Sequence, residues 1–363
     1  MTAFRNKIIL IRPLLSVILI LLLTSSCQQK DNYEKLKLRI MAFGTWVDVT
    51  LYDKDLSRYP DLSTSIENSL LQMHRHWHAW HPSAITRIND ACAKGKSITI
   101  SQQMVDLLTL GKQMAERSQG YFQPAIGQLL ALWGFQRDDP FNNQSVPSLE
   151  TIRQIVDSHP SMSQITIKDG ELSCSNPQVM LDLGGFGKGF GLELLKKQLL
   201  DRGISNMLLN AGGDIISYGK AGNRPWVVGI RNPFADNALA TLELSQNETV
   251  FTSGNYERGF IINGKRYHHI INPFNGYPSS GIASATVIGD NGAWSDAAAT
   301  TMLLAGVEKA FELATDMGVK HLLIITDEGQ YYLDQGMLDL LTFIDGKPQN
   351  LNILEFNHKG NRR

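Results

Sequence analysis

The sequence predicts a single domain of the α+β class, in which antiparallel sheets are flanked by helices. Several apolar segments with the alternation of strands are joined by short turns, which favours antiparallel pairing. Such turns are predicted at Asp169-Gly170, Gly212-Gly213 and Asn263-Gly264. The 363 residues, 43% hydrophobic and 19% charged, are enough for a sizeable core. Length alone permits one large domain or two ordinary ones, and we interpret the chain as one.

The charge of the chain gives no reason to expect a complex with nucleic acid. Its formal net charge is −1 and its isoelectric point is near 6.8, so no electrostatic attraction to phosphate backbones is expected. Beyond Cys27, the only cysteines in the sequence are Cys92 and Cys174. Two cysteines define neither a disulfide framework nor a metal site, although one disulfide is permitted in an oxidising compartment.

The first segment of the chain has the features of an export signal. Basic residues precede the apolar run Leu14–Leu23, which is too short to be a comfortable transmembrane span. Small residues at 24–26 then precede Cys27, as in the bacterial lipoprotein signal, so 1–26 is predicted to be removed and Cys27 to carry a lipid. Alternatively, the protein is an ordinary secreted one and Cys27 is incidental. Residues 27–37 are predicted to be a polar tether, and Gln28 gives no inner-membrane retention signal.

The first half of the domain is predicted to contain a strand and three helices. The alternation over Leu38–Tyr52 is interrupted by Gly44, which marks the close approach of either another backbone or a ligand. Amphipathic spacing predicts a helix over Leu62–His78, capped near Ser63. The same reasoning predicts further helices at Ser101–Ser118 and Ser148–Ser158.

A cluster of histidines follows the first predicted helix. His74, His78 and His81 fall near one helix face, where they could bind a transition metal. The sequence offers no obvious partner ligands, and histidines on helix surfaces are common, so a surface role is favoured. Arg87 and Asn89 are predicted to lie in the loop after this cluster.

A glycine-rich segment is the first candidate for ligand binding. Met180–Gly203 has the pattern of a strand, a glycine turn and a helix. Its glycines gather backbone N–H groups at a helix N-terminus, which suits a phosphate or diphosphate. The spacing is not that of a P-loop. Met207–Ser217 repeats the strand and glycine turn, and Asp214 begins the following strand.

The second candidate site combines a histidine pair with a polar helix start. His268 and His269 follow the Asn-Gly hairpin, and side-chain alternation predicts that one of them faces the core and the other solvent or ligand. Asp296 and Thr300 are spaced i,i+4 and offer hard oxygen ligands on one face of a predicted helix from Ser295 to Thr315. Taken alone, Ser295 and Asp296 are better interpreted as N-terminal caps.

Several motifs in order resemble the ApbE family of periplasmic FAD:protein FMN transferases. They are LDLGGFGKGF, LLNAGGDI, TSGNYERGF, YHHIINPFNGYP and SDAAATTMLLAG, and SQGYFQPAIGQLLALWGF resembles the motif that ends in LWGF in that family. The resemblance covers essentially the whole mature chain. It implies a single T-fold-like domain, which we place at 38–357, before a frayed basic tail at 358–363.

The resemblance also implies an activity, in which FMN is transferred from FAD to a Thr or Ser hydroxyl of a partner flavoprotein and AMP is released. Mg²⁺ would bridge the diphosphate, held by the carbonyl of Gly187 and the side chains of Asp296 and Thr300. His269 would be the general base. The implied location is the periplasmic side of a bacterial membrane. The implied FAD contacts are Phe43, Trp80, Gln123, Pro124, Ala125, Gly184, Phe190 and Ile271.

The sequence departs from the family pattern at several of these positions. Phe43, Trp80, Gln123, Phe190 and Gly187 replace the usual Met, Tyr, Asp, Tyr and Ala. Asn255 and Asn272 stand where Asp is often found, and an Asp at 272 could orient His269 or stabilise its protonated form. Two alternatives therefore stay open: an FAD pyrophosphatase that gives FMN and AMP, and a lipoprotein that binds FAD without turnover.

Overall fold

A nine-stranded sheet forms the centre of the domain in the computed structural model, which describes residues 33–139 and 144–356. The strands are β1 (Glu34–Ala42), β2 (Thr45–Asp53), β3 (Ile98–Thr99), β4 (Ile165–Lys168), β5 (Glu171–Cys174), β6 (Met207–Ala211), β7 (Asp214–Tyr218), β8 (Trp226–Arg231), β9 (Ala238–Leu244), β10 (Thr249–Gly254), β11 (Gly259–Ile262), β12 (Lys265–His268), β13 (Ile282–Gly289), β14 (His321–Thr326), β15 (Tyr331–Leu333), β16 (Leu341–Phe343) and β17 (Leu351–Ile353). The helices are α1 (Leu62–His76), α2 (Ala84–Ala93), α3 (Gln102–Arg117), α4 (Gly127–Leu132), α5 (Leu149–Asp157), α6 (Gly187–Asp201), α7 (Gly292–Ala305), α8 (Val307–Leu313) and α9 (Gln335–Leu340).

The order of strands in the central sheet is β1-β2-β6-β7-β10-β13-β14-β15-β17. Each neighbouring pair is antiparallel except β15 and β17, which are parallel. Smaller sheets have the orders β16-β9-β8 and β3-β5-β4, and β11 and β12 form a hairpin. The predicted α+β class with antiparallel sheets and flanking helices is confirmed.

The two faces of the central sheet are covered differently. Side chains alternate between faces along a strand, so that Ile216 and Phe251 belong to the core beneath the helices while Ile215 and Val250 belong to the core on the opposite side. The helix-side core includes buried residues of α1, α6 and α7. The opposite core is closed by β8 and β9. The helices that carry the glycine segment and Asp296 are therefore packed on one face.

The domain begins earlier than predicted. Strand β1 starts at Glu34, within the predicted tether, because Leu36 and Leu38 pack on the core and the strand pairs with β2 along its length. The single strand predicted around Gly44 is instead a hairpin. Phe43 and Gly44 both have positive φ angles at its turn, and a Cβ on Gly44 would collide with the guanidinium of Arg258.

The helix after the histidine cluster was not predicted. Arg87 and Asn89 lie within α2, not in a loop. The side chain of Ser83 accepts a hydrogen bond from the N–H of Thr86, whose own hydroxyl accepts one from the N–H of Ser83. This reciprocal capping satisfies donors at the helix start. Pro82 and the preceding aromatic residues obscure this start in the sequence.

Two predicted elements differ in their boundaries. Residues 181–183 form no strand, and Met180 contributes only an isolated bridge to Ile126. The long helix predicted from Ser295 begins earlier, at Gly292, and divides into α7 and α8 at Gly306. Gly306 has a positive φ of 76°, which an α-helix does not accommodate.

Most local predictions in the rest of the domain are confirmed. Helix α3 lies within the predicted Ser101–Ser118 and is capped by Ser101, and α5 lies within Ser148–Ser158. The hairpins at 169–170, 212–213 and 263–264 all form. Helix α1 begins at the predicted residue, although it is preceded by Asp61 in the cap position and ends at His76.

Cys92 of α2 and Cys174 of β5 form a disulfide with a Cα–Cα distance of 5.1 Å. The predicted signal at 1–26, the lipid on Cys27 and the tail at 358–363 lie outside the described residues. Across 33–139 and 144–356, no helix is both long enough and apolar enough to cross a membrane.

Candidate functional site

A cavity of about 660 Å³ opens beside the N-terminal ends of α6 and α7. Its volume is within the range of sites for small molecules and cofactors. Ten of the predicted site residues line it: Phe43, Trp80, Gln123, Pro124, Gly184, Gly187, His269, Ile271, Asp296 and Thr300. The structure therefore brings the glycine segment, the histidine pair and the polar helix start to one place.

Two predicted FAD contacts are not among the residues that line the cavity. Ala125 is fully buried, and its carbonyl accepts a hydrogen bond from the N–H of Met180. Phe190 packs against Trp77 with ring centroids 5.6 Å apart, and Trp77 stacks on Phe43 at 6.0 Å. Phe190 therefore supports the cavity wall from behind.

A half-buried lysine, whose side chain is 26% exposed, joins two buried carboxylates at the inner end of the cavity. The ammonium of Lys188 contacts Oδ2 of Asp214 and lies 3.7 Å from Oδ1 of Asp296. The two carboxylate side chains are 7% and 6% exposed. Burial alone lowers the pKa of Lys188, but the two carboxylates outweigh it and raise the pKa above its ordinary value. Lys188 therefore stays charged.

Asp296 is a buried site residue and not a helix cap. Asn291 caps α7 by accepting from the N–H of Trp294, whereas Oδ2 of Asp296 accepts from the N–H of Gly189 at 2.9 Å. A Cβ on Gly189 would collide with the carbonyl oxygen of Gly292, so glycine permits the close approach of α6 and α7. Burial raises the pKa of Asp296 to about 6, against the opposing effect of Lys188.

Thr300 lies one turn after Asp296, as its spacing predicts. Its hydroxyl lies 3.1 Å from that of Ser253 and 3.4 Å from the carbonyl oxygen of Asp296. Ser253 also lines the cavity, and it belongs to β10, where the N–H of Thr252 donates to Oδ1 of Asp214. Two consecutive residues of β10 therefore contact the site, Thr252 through Asp214 and Ser253 through Thr300.

The histidine pair divides as the alternation predicts. His268 is 4% exposed, and its ring bonds to the carbonyl of Ser279 at 2.8 Å and to the N–H of Ile270 at 3.3 Å. Burial lowers its pKa. His268 is thus structural, and His269 faces the cavity.

His269 has one ring nitrogen fixed and one left for chemistry. Its Nδ1 lies 3.3 Å from the carbonyl oxygen of Arg258, which requires a proton on Nδ1 for a hydrogen bond. In that tautomer Nε2 is unprotonated. Burial, together with the positive charge of Arg258, lowers the pKa of His269 to about 3. The ring is therefore neutral at pH 7 and can accept a proton.

The two asparagines that depart from the family pattern have structural partners. Oδ1 of Asn272 accepts from the N–H of Phe274 at 2.8 Å, as in an Asx turn. Nδ2 of Asn255 donates to Asp327 at 2.8 Å and to the carbonyl of Ile282 at 3.1 Å. The expectation that position 272 orients His269 is not supported, because the carbonyl of Arg258 holds that ring.

The histidine cluster lies at the outer end of the cavity. Nδ1 of His78 accepts from the N–H groups of Trp80 and His81, and Nε2 of His81 lies 2.7 Å from Oδ1 of Asp138. Within 33–139 and 144–356, no group of three or more His, Cys, Asp or Glu side chains could hold a metal ion. The transition-metal interpretation of this cluster is therefore wrong.

The sequence interpretation overlooked the roles of Lys188, Asp214 and Arg258. Lys188 lies between two glycines in the segment already singled out for diphosphate, and Asp214 directly follows the second glycine turn. A charged residue beside each turn was the signal that could have identified them. Arg258 was noted only as part of its motif, yet it lines the cavity, and its guanidinium donates to the carbonyl of Gly44 at 3.4 Å.

Comparisons with known proteins identify the family of the chain. The ApbE family model matches residues 43–323. A Rhodobacter capsulatus FAD:protein FMN transferase is 38% identical over 84% of this chain, which covers 58% of that relative's length. A Klebsiella pneumoniae protein of the same name is 27% identical over 84% of this chain and 88% of its own.

Solved structures show the same fold. The ApbE protein of Thermotoga maritima superposes with a TM-score of 0.77 at 29% identity, covering 85% of this chain and 100% of that one. The flavin transferase ApbE of Vibrio cholerae gives 0.73 at 23% identity, with the same coverage. The family model spans most of this chain, and its matched range contains the whole lysine and carboxylate cluster, so the chain belongs to the ApbE family, whose named relatives are transferases.

Proposed function

We propose that this protein is an FAD:protein FMN transferase, which moves FMN from FAD to a hydroxyl of a partner protein. The observation that carries the proposal is the cluster of Lys188 with the buried carboxylates Asp214 and Asp296, which lines the same cavity as His269. A cation and carboxylates next to a neutral imidazole suit phosphoryl transfer to a hydroxyl. The relatives named above support the same activity.

The cavity offers FAD both charged groups and aromatic rings. Lys188 and Arg258 are positive charges that can face a diphosphate, and the turn at Gly184 and Gly185 lines the same cavity. The carboxylate of Asp182 accepts from the N–H of Gly184 at 2.7 Å and so fixes that turn. The aromatic residues in the lining include Phe43, Trp80, Tyr121, Phe122 and Phe135. Rings of this kind can stack on adenine or isoalloxazine.

The oxygen ligands at the inner end fit Mg²⁺ as a partial site. Proteins usually hold Mg²⁺ with one or two carboxylates, while substrate phosphates and water complete the shell. Here the carboxylate of Asp296, the hydroxyl of Thr300 and the carbonyl of Gly187 would hold it. Oδ1 of Asp296 lies 3.7 Å from the ammonium of Lys188, a longer contact than a hydrogen bond, and this oxygen would be the one to bind the cation. When bound, Mg²⁺ would neutralise charge that develops on the phosphoryl oxygens.

Transfer requires that one bond to phosphorus forms as another breaks. Nε2 of His269 takes the proton of a Thr or Ser hydroxyl on the acceptor, and that oxygen bonds to the FMN phosphorus. The bond between this phosphorus and the bridging oxygen breaks, so AMP leaves. Lys188 and Arg258 stabilise the negative charge. An anionic diphosphate near His269 favours its protonated form and so raises its pKa from the low value of the free protein.

The proposed location is the periplasmic side of a bacterial membrane, with the protein anchored through a lipid on Cys27. The sequence around Cys27 supports the anchor, and the disulfide between Cys92 and Cys174 supports an oxidising compartment. Labelling with a radioactive fatty acid should mark the wild-type protein and not Cys27→Ala. Equal labelling of the two would contradict the anchor.

One incubation separates transfer from the alternatives. The mature protein is mixed with FAD, Mg²⁺ and an acceptor domain, and flavin fluorescence is followed in a denaturing gel while AMP is quantified. Fluorescence on the acceptor supports transfer. AMP without a labelled acceptor supports the pyrophosphatase, and neither product supports FAD binding without turnover. Asn255 and Asn272 give no support to the last alternative, because both are engaged in turns and loops.

His269→Ala should lower the transfer rate by at least roughly tenfold, because a general base contributes that much or more. FAD binding should change little, since the imidazole acts on the acceptor hydroxyl. The matched control is His76→Ala, which removes an exposed histidine at the end of α1. If His269→Ala transfers FMN at the wild-type rate, another group takes the proton of the acceptor hydroxyl.

A further inference from the structure

Two loops are joined at the outer end of the cavity by one carboxylate oxygen. Nε1 of Trp80 donates to Oδ1 of Asp138 at 3.0 Å, and Nε2 of His81 lies 2.7 Å from the same oxygen. Trp80 follows α1, and Asp138 follows α4, 58 residues later. Both Trp80 and Asp138 line the cavity. We call this set of three residues the rim clamp.

The backbone beneath the rim clamp is also fixed. Nδ1 of His78 accepts from the N–H of Trp80 at 3.4 Å and from that of His81 at 3.1 Å. The rings of Trp80 and His81 pack edge-on against His78, at centroid distances of 4.4 and 4.3 Å. Burial and the neighbouring histidines lower the pKa of His78 to about 4, so its ring is neutral and Nδ1 can accept at pH 7.

The rim clamp contributes little to global stability. The side chain of Asp138 is 72% exposed and that of His81 is 50% exposed. Pairs between exposed side chains add little to stability, because water screens their charges. Their main consequence is therefore the position of the Trp80 indole, whose polar edge is tied to Asp138.

We propose that Asp138 is a positioning residue, which holds the Trp80 indole where its face stacks on a planar ring of the bound dinucleotide. The inference rests on the proposed binding of FAD. An indole face stacks on either isoalloxazine or adenine, and its position decides how well the rings overlap. The N–H of the indole is bonded to Asp138, so the ligand meets the ring face and not its donor.

The first test compares Asp138→Ala with Asp138→Asn by the dissociation constant of FAD, measured from the change in flavin fluorescence. Asp138→Ala should weaken FAD binding by roughly fivefold or more, as the loss of one aromatic stack on a base does. Asp138→Asn should bind nearly as the wild type, because its amide oxygen still accepts from the indole. The control is Asp90→Ala, since Asp90 is 75% exposed and pairs with Lys94 on α2.

A double-mutant cycle separates positioning from other roles. Trp80→Phe keeps a ring but loses the N–H, so it should weaken FAD binding about as much as Asp138→Ala. If Asp138 acts through Trp80, the double variant is no weaker than the single ones. Additive losses, or FAD binding by Asp138→Ala as tight as in the wild type, would overturn the proposal. The unfolding midpoint of each variant confirms that it is folded.

Two further measurements show which ring of FAD stacks on Trp80 and whether Asp138 affects binding or turnover. Competition with riboflavin and with AMP identifies the stacked ring, because only the half-molecule that stacks should lose affinity in Asp138→Ala. In steady-state transfer, the KM for FAD should rise while kcat stays within about twofold, since the clamp is remote from the inner cluster. A wild-type protein that does not bind FAD would overturn the proposed function and this inference with it, whereas a wild type that binds FAD no better than Asp138→Ala would overturn the inference alone.

Discussion

The inner and outer ends of the cavity use carboxylates in opposite ways. At the inner end, Asp214 and Asp296 are 7% and 6% exposed, and both pair with the half-buried ammonium of Lys188. At the outer end, Asp138 is 72% exposed and accepts from an indole and an imidazole. Interactions between charges are strong where water is excluded and weak where it is not. The inner end is therefore built for chemistry, and the outer end positions a ligand.

The largest effect expected from this contrast is the loss of turnover in Asp296→Ala. Even residues that only orient a metal ligand are worth about 10–100-fold in affinity or activity, so a ligand itself should cost more than a hundredfold. The transfer rate of Asp296→Ala is measured against that of the wild type, and the affinity of each protein for Mg²⁺ is measured by calorimetry. Unchanged activity would rule out Asp296 as a metal ligand.

A second prediction compares the removal of one carboxylate at each end. Asp214→Ala leaves Lys188, which is 26% exposed, beside a single, more distant carboxylate. This change should lower the free energy of unfolding by up to about 3 kcal/mol, the lower end of the cost for a buried pair. Asp138→Ala should change it far less, because the Asp138 side chain is exposed and water screens its charge. Urea unfolding of the two variants tests the difference, and equal losses would contradict the contrast between the ends.

A third prediction concerns the helix contact that places Asp296. Gly189→Ala puts a methyl group against the carbonyl of Gly292 and should destabilise the fold by about 1–3 kcal/mol, as overpacking does. The control is Gly229→Ala in β8, where the added carbon would meet its nearest neighbour at an ordinary 3.5 Å. The unfolding midpoints of the two variants are compared. Equal midpoints would show that α6 and α7 can move apart without loss of stability.

The smallest effect should be a gradual loss of stability in acid. Burial lowers the pKa of His268, His269, His74 and His78 below the ordinary value of 6.5. The unfolded chain therefore binds more protons below pH 6.5, and the stability is complete above that pH and declines as the pH falls. His268→Gln should flatten the decline between pH 6.5 and 4, measured by urea unfolding at each pH. If the free energy of unfolding falls equally steeply with pH in His268→Gln, other groups cause the acid sensitivity.

The features that could be predicted from the sequence are those that depend on residues close together in the chain. The Asn263-Gly264 turn has the positive φ angles that this pair adopts readily, so the hairpin before His269 was predictable. The spacing of Asp296 and Thr300 was predictable from helix geometry. The burial of Asp296 was not, because it depends on the approach of Gly189 to Gly292, about 100 residues away in the chain.

The outer end was harder to predict for the same reason. The donor on Trp80 meets an acceptor on Asp138 only because two loops from distant parts of the chain come together. Neither residue has a local signal that indicates its partner. The resemblance to the family placed Trp80 at the site, whereas the residue that holds it became visible only in the structure.

The disulfide between Cys92 and Cys174 has a consequence for how the cavity is assembled. These residues are 82 apart, and the segment between them includes Tyr121, Gln123 and Asp138 of the cavity wall. On the chain-entropy account, closing a loop of this length restricts the unfolded chain by about 4–5 kcal/mol. Protein made in a reducing cytosol must fold this wall without that restriction. Oxidative refolding or secretion should therefore give a larger yield of FAD-binding molecules from the same amount of chain.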